Sequence, residues 1–332
     1  MQLQVGIVGL GETWDWGYRP ALKRLVDLFR VTGIYDPVFR RAQLACEDFQ
    51  AEPAQSFRSL IFRSDVAVVL LLGTDWLGPL PVTVACESGK PVFLGAPFEF
   101  SLADLRELMR VAEATGQLIM PALGLRSTLS SAGLRELMRA SLGQPRQIFC
   151  YHRILRWGRC WRTRLVAKLG ELIDGCRFLL EESLGSVLAG LYPPDPEGCP
   201  SGLVVWTFEV EGAAPQRPRT SVEIVCEWFS KPGCLEGVDF RGASQLHLHC
   251  EGGVACFEEG KSLSWWDTAG HHRQRLDGQC SPEELLLTIF YQAVTSNTPV
   301  PGDLRDVCSA CLLLTDAKPL SEGVAGTERG KP

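Results

Sequence analysis

The run Val5-Gly6-Ile7-Val8-Gly9-Leu10-Gly11 leads an apolar stretch into a Gly-x-Gly turn, and Ile34-Tyr35-Asp36 follows about 25 residues later. Strand, turn, helix, second strand and acid, in that order, suit a dinucleotide site. Gly9 permits a tight turn, and Gly11 lets the backbone approach a pyrophosphate. Asp36 is placed to hold the hydroxyls of an adenosine ribose. An acid there repels a 2′-phosphate, so NAD is expected ahead of NADP, with NADP possible through the neighbouring Arg40 or Arg41. Trp14 takes the place of the third glycine of the fingerprint, inside the aromatic run Trp14-Asp15-Trp16-Gly17-Tyr18. The helix after the turn must therefore start late or lie further from the phosphates. The same two glycines also fit a bare strand-to-helix turn that binds nothing.

Groups able to move protons are sparse. Tyr151 and His152 lie in the middle of an apolar run and are candidates, although His152 also reads as a strand-face histidine with an ordinary hydrogen bond. His271-His272, between polar segments, reads as a solvated loop. Arg153 to Arg164 is strongly basic for an acidic chain and includes Trp157, Arg159, Trp161 and Arg162. It suits a lid whose arginines clasp a carboxylate or phosphate while a tryptophan covers a sugar face. It equally suits a solvated loop whose arginines pair with surface acids. Cys308-x-x-Cys311 lies in an apolar helical pattern with no second Cys pair or His pair, so no metal site is expected.

The elements that must position these groups follow two rhythms. Up to residue 123, short apolar runs (Leu3–Val8, Val31–Tyr35, Val66–Leu72, Pro91–Leu94, Leu118–Ala122) alternate with helical segments at Pro20–Phe29, Val38–Phe49, Leu80–Glu87 and Ser101–Ala114. That alternation predicts an α/β, doubly wound parallel sheet over residues 1–123. Residues 124–321 read as an α+β domain with a large, mostly antiparallel sheet. Helices are expected at Ser130–Ser141 and Leu165–Glu182, and strands at Arg146–Ile154, Ser186–Leu191, Leu203–Glu211, Ser221–Phe229, Gln245–Cys250, Val254–Glu258 and Leu263–Trp266. Two closing helices, Pro282–Thr295 and Leu304–Pro319, are able to pack back on the first domain, and residues 322–332 read as a flexible tail.

With 332 residues, the chain has room for two cores, and 45% hydrophobic with 22% charged residues is ordinary for a globular protein. A formal charge of -6 argues against nucleic acid as a partner, because duplex binding needs a cationic face. The longest apolar run, Val66–Leu72, is too short to cross a bilayer, so no membrane association is expected. Thirteen cysteines without a tight framework, and a start with no export signal, point to reduced thiols and a cytoplasmic location.

The Gly-x-Gly turn resembles that of the Gfo/Idh/MocA oxidoreductases, which include glucose–fructose oxidoreductase and inositol dehydrogenase. So do Asp36-Pro37, Ser64-Asp65-Val66-Ala67-Val68-Val69, the strand entry at Gly89-Lys90, Arg126 and the closing helical pattern. The resemblance runs from Val5 to about Ala317. It implies a Rossmann domain, a second domain with an open-faced sheet, and hydride transfer between NAD(P) and a sugar or polyol. It also implies a homodimer or homotetramer built through that sheet. It extends the cofactor site to Glu12, Thr13, Trp14, Arg41, Gly73, Thr74, Ala96 and Pro97, and the substrate site to Arg126.

Two departures fall on the chemistry. The family's Glu-Lys-Pro signature corresponds to Gly95-Ala96-Pro97, and its Asp-x-x-x-His motif falls on Asp174 to Phe178, keeping the acid and losing the histidine. Asp174 is thus either a remaining proton acceptor or a helix anchor partnered by Arg177. Each missing proton-transfer group should cost roughly 10²–10⁴-fold in rate. Three readings stay open: an oxidoreductase with altered catalytic residues, a non-catalytic relative that binds nucleotide or a partner, and a scaffold that binds no nucleotide.

Overall fold

The computed structural model describes residues 2–73, 77–155, 161–180, 187–192, 201–210, 220–229, 244–276, 280–315 and 318–319. The first sheet holds six strands: β1 (Leu3–Val8), β2 (Phe29–Tyr35), β3 (Glu52–Pro53), β4 (Val68–Leu71), β5 (Val92–Leu94) and β6 (Ile119–Pro121). They lie in the order β3-β2-β1-β4-β5-β6, and every neighbouring pair is parallel. This is the doubly wound arrangement, whose strand order reverses between β1 and β4. Helices cover both faces, which is why Val68-Val69-Leu70-Leu71 is buried throughout rather than alternating.

The covering helices are α1 (Arg19–Arg24), α2 (Phe39–Phe49), α3 (Phe57–Ile61), α4 (Leu80–Glu87) and α5 (Leu102–Thr115). The start of α5 is set by a reciprocal cap, in which the Ser101 hydroxyl accepts from the Asp104 N–H and the Asp104 carboxylate accepts from the Ser101 N–H. Its end is set by Gly116 at φ 66°. The helix expected from Pro20 to Phe29 stops at Arg24 instead. Phe29 opens β2 opposite Leu3 and meets the Tyr291 ring edge-on, so strand pairing overrides the local helical pattern.

The second sheet has nine strands: β7 (Pro145–Leu155), β8 (Val187–Tyr192), β9 (Ser201–Val210), β10 (Thr220–Phe229), β11 (Gln245–Cys250), β12 (Gly253–Glu258), β13 (Ser262–Asp267), β14 (Gly270–Arg275) and β15 (Lys318–Pro319). Their order is β14-β13-β12-β11-β7-β10-β9-β8-β15, with β7–β10 and β8–β15 parallel and the other pairs antiparallel. His271 and His272 correct an expectation, since they belong to β14 and not to a loop. The His271 ring stacks on Trp266 at 4.5 Å between centroids, and that of His272 on Trp265 at 5.0 Å. Cross-strand ring pairs of this kind hold a polar edge strand in register.

The helix expected over residues 130–141 is divided. Short helices α6 (Gly124–Ser131) and α7 (Leu134–Leu137) flank Gly133 at φ 68°, and a π-helical turn occupies Met138–Leu142. The long α8 (Trp161–Leu180) lies on one sheet face, where Leu169, Leu172, Ile173 and Cys176 share a core with Ile148, Cys150, Ile224 and Cys226. Of the closing helices, α9 (Pro282–Ser296) sends Leu286, Leu287 and Phe290 into the core beneath Val5, Ile7 and Phe93 of the first sheet. α10 (Leu304–Thr315) buries Val307, Ala310 and Cys311, and burial pushes the Cys311 thiol up to about 11. α10 ends before the expected Pro319, because Lys318 and Pro319 pair with β8. Residues 322–332 lie outside the described residues.

Candidate functional site

The crevice at the carboxyl ends of β1, β4 and β5 is where a doubly wound fold binds its ligand. At its first edge Gly9 and Gly11 adopt φ values of 66° and 63°. A Cβ on Gly9 would come within 2.5 Å of the Gly73 carbonyl oxygen, and one on Gly11 would fall on the Leu72 carbonyl oxygen. Glycine is therefore demanded by the close approach of β1 and β4, whatever is bound. The Gly9 N–H donates to the Tyr35 carbonyl at 2.8 Å. Among the described residues, the next three N–H groups after Leu10, those of Gly11, Glu12 and Thr13, have no acceptor. Consecutive unpaired amides in a left-handed turn form an anion-binding concavity.

The chain leaves this turn in an unusual way. A π-helical turn spans Trp14–Tyr18, and α1 begins only at Arg19. Trp14 is 4% exposed and packs on Phe49 of α2, 5.9 Å between ring centroids. Its side chain fills the core behind the turn. The Glu12 carboxylate pairs with Arg164 of α8 at 3.3 Å, linking the turn to the second domain.

Asp36 closes the turn from the side. Its Oδ2 accepts from the Leu10 N–H at 3.1 Å and its Oδ1 from the Val38 N–H at 2.9 Å. Arg41 lies against it, with Nη1 3.4 Å from Oδ2 and Nη2 donating to the Gly11 carbonyl at 3.2 Å. Unpaired turn amides, a glycine cradle and an adjacent guanidinium fit the phosphates of a dinucleotide. Gly73 contributes backbone to the same cradle, whereas Thr74 lies outside the described residues.

At the other edge, Ala96 and Pro97 follow β5 and lead into a single 3-10 turn, Pro97–Glu99. The Phe98 ring packs so closely on α8 that a Cβ at Gly170 would come within 2.6 Å of it. Ala96 brings no proton-transfer group.

Asp174 and Arg126 meet in a buried ion pair. Arg126, on α6, donates through Nε to Asp174 Oδ2 at 3.0 Å and through Nη2 to Oδ1. Through Nη1 it reaches Asp306 at 3.0 Å and the Pro301 carbonyl at 3.2 Å. Both residues are buried, and the Phe178 ring lies under the Arg126 and Arg135 guanidinium groups at 5.6 Å and 4.6 Å. Burial pushes the Asp174 carboxyl up to about 6 against the pull of Arg126. The cluster ties α6, α8 and α10 together, and both oxygens of Asp174 are spent on it.

One to two turns earlier on α8, chemistry unnoticed in the sequence appears. Lys168 Nζ lies 2.8 Å from Glu171 Oε2 and 4.0 Å from Glu259 Oε2. Glu171 Oε1 also accepts from the Leu125 N–H at 3.0 Å, one residue into α6. Burial alone would lower the Lys168 ammonium, but Glu171 and Glu259 carry it above its ordinary value. Burial, reinforced by Glu283 and Glu171, raises the Tyr18 hydroxyl. The available signal was a Lys and a Glu spaced i, i+3 within the apolar run Leu165–Ile173.

His152 sits on the same sheet face, buried, with Nδ1 3.3 Å from the Ser244 hydroxyl. Burial and the nearby Lys168 hold its imidazole well below the ordinary histidine range. Tyr151 points to the opposite face, where its hydroxyl donates to Glu227 and accepts from Arg153 Nε at 2.5 Å. The two neighbours therefore do not share a site. Trp157 and Arg159 lie outside the described residues; Trp161 and Arg162 fall in the first turn of α8, their side chains undescribed. Among the described residues no group of three or more His, Cys, Asp or Glu is placed to hold a metal, and no helix is long and apolar enough to cross a membrane.

Residues 3–123 match the model of an oxidoreductase family with an NAD-binding Rossmann fold, Gfo/Idh/MocA. No curated protein matches the chain in sequence. The chain superposes on a UDP-N-acetylglucosamine 3-dehydrogenase from Acidithiobacillus ferrooxidans with a TM-score of 0.76 at 12% identity, covering 96% of this chain and 97% of that one. A 3-ketoreductase from Actinomadura kijaniata, solved with TDP-benzene and NADP, gives 0.73 at 18% identity over 96% and 99%. A biliverdin reductase from Synechocystis, solved with biliverdin and NADP+, gives 0.70 at 17% identity over 95% and 99%. At these identities the likeness establishes the fold. The first domain of this chain thus matches the Gfo/Idh/MocA oxidoreductase model, and the whole chain shares the fold of those solved structures.

Proposed function

We propose that the chain is an NAD(P)-dependent oxidoreductase acting on a hydroxyl or carbonyl of a sugar, polyol or related carbohydrate derivative. The observation that carries this reading is the Gly9–Gly11 turn with its unpaired amides, set at the reversal of strand order between β1 and β4. Gly9, Gly11, Glu12 and Thr13 hold the pyrophosphate, Arg41 and Asp36 frame the adenosine ribose, and Gly73, Ala96 and Pro97 line the way to the nicotinamide. When bound, the dinucleotide accepts or supplies the hydride.

Oxidising a neutral alcohol also requires a base for the hydroxyl proton. Lys168 and Glu171 take this role in our reading, because Ala96 carries no such group and Asp174 is committed to Arg126. The Lys168 ammonium holds the developing negative charge on the reacting oxygen, and the Glu171 carboxylate takes the proton. Glu259 faces Lys168 from the sheet side at 4.0 Å, and the Ser244 N–H donates to that carboxylate. The chain works in the cytoplasm as a homodimer or homotetramer on this reading.

A second reading, nucleotide binding without turnover, is favoured by Ala96 and by the full engagement of Asp174. One experiment separates the two. The purified chain is titrated with NAD, NADH, NADP and NADPH, and then assayed by nicotinamide absorbance against free sugars, polyols and nucleotide sugars. Turnover abolished in Lys168→Met supports the enzyme, whereas saturable binding with no turnover across the panel supports the second reading.

A further inference from the structure

We infer that the adenosine end of this site selects a 2′-phosphorylated dinucleotide, NADP(H) over NAD(H), and that Arg41 makes the selection. The inference rests on the dinucleotide reading above and reverses the preference that Asp36 implies in the sequence alone.

An acid at the end of β2 selects NAD only if its carboxylate is free to accept from the ribose hydroxyls and to repel a 2′-phosphate. Both conditions are weakened here. Asp36 is 2% exposed, and each of its oxygens already accepts a backbone N–H, from Leu10 and from Val38. It acts as a strut that fixes the β1 turn to the exit of β2. Its charge is further opposed by the Arg41 guanidinium at 3.4 Å.

Arg41 has the opposite properties. Its side chain is 43% exposed, yet the guanidinium is held at two points, by Asp36 Oδ2 and by the Gly11 carbonyl. It therefore joins the turn that would carry the pyrophosphate to the strand end that faces the ribose. A guanidinium has five N–H donors in a planar fork, and these contacts leave donors for a phosphate. Arg40, exposed and next in the chain, adds positive charge to the same edge. A fixed, half-exposed cation beside a neutralised acid recognises a phosphate monoester and offers little to a diol.

The test is direct binding to the full chain at fixed ionic strength, followed by calorimetry or by nicotinamide fluorescence. NADPH should bind at least roughly tenfold more tightly than NADH, and NADP than NAD. Arg41→Ala should weaken NADPH roughly tenfold more than NADH, while Arg41→Lys restores part of the difference. Thermal melting checks that the variants fold, and the wild-type comparison does not depend on them. Equal or tighter binding of NADH overturns the inference and leaves the dinucleotide reading standing, as does an equal loss of both ligands in Arg41→Ala. Failure of all four dinucleotides to bind overturns both.

Discussion

The two edges of the crevice are built from different groups, backbone at one and side chains at the other. At the β1 edge the candidate phosphate grip consists of backbone amides and glycine conformation, so the features that make the proposed site also make the fold. At the β5 edge the work falls to side chains, and there the family's lysine and histidine positions hold Ala96 and Phe178. Phe178 packs under two guanidinium groups and Asp174 pairs with one of them, so this part of α8 joins α6 and α10. A largely buried charged pair, Lys168 and Glu171, lies further back on the helix.

The comparison breaks most visibly at the chemistry edge. Lys168→Met and Glu171→Gln should each lower kcat by roughly 10²–10⁴-fold on any substrate the panel reveals, with dinucleotide affinity retained. Asp174→Asn serves as the contrast: a larger kcat loss there, in a folded protein, would return the catalytic role to Asp174. The anchor itself ranks second. Arg126→Met leaves the buried Asp174 unpaired and should cost about 3–5 kcal/mol of stability, read as a lowered Tm or denaturant midpoint. A variant as stable as the parent would show that the cluster does not hold α6, α8 and α10 together.

The smallest expected effect concerns His152, which is buried against Ser244 and feels the charge of Lys168. Its folded-state imidazole lies well below the ordinary value of 6.5, so the unfolded chain binds a proton that the folded chain refuses. Its contribution to stability is complete above pH 6.5 and is lost as the pH falls below that value, at about 1.4 kcal/mol per pH unit. His152→Asn should flatten the fall in Tm between pH 6.5 and pH 5. An unchanged slope would place the acid-sensitive group elsewhere.

The sheet of the first domain was legible because its strands are continuous apolar runs and its turn needs glycine. Gly9, Gly11 and Asp36 stand where the spacing put them. What Asp36 does was not legible, since the same acid serves a ribose or a strut depending on where two backbone amides point. Arg126 and Asp174 are 48 residues apart and meet only through packing. Lys168 and Glu171 looked like ordinary charges on a helix until the sheet and α6 closed around them. Phe29 and His271 were misjudged for a related reason: their strand pairing comes from residues distant in sequence or from ring stacking across a hairpin.

The central claim is that the Gly9–Gly11 turn grips a nicotinamide dinucleotide, and the most direct measurement is an NADPH titration of the parent chain beside Gly11→Ala. A Cβ at Gly11 falls on the Leu72 carbonyl at φ 63°, so the variant carries about 1–3 kcal/mol of backbone strain in the turn itself. The account predicts saturable binding by the parent and its loss in a Gly11→Ala variant whose far-UV spectrum is unchanged. Binding of equal affinity in both proteins, or in neither, would contradict it.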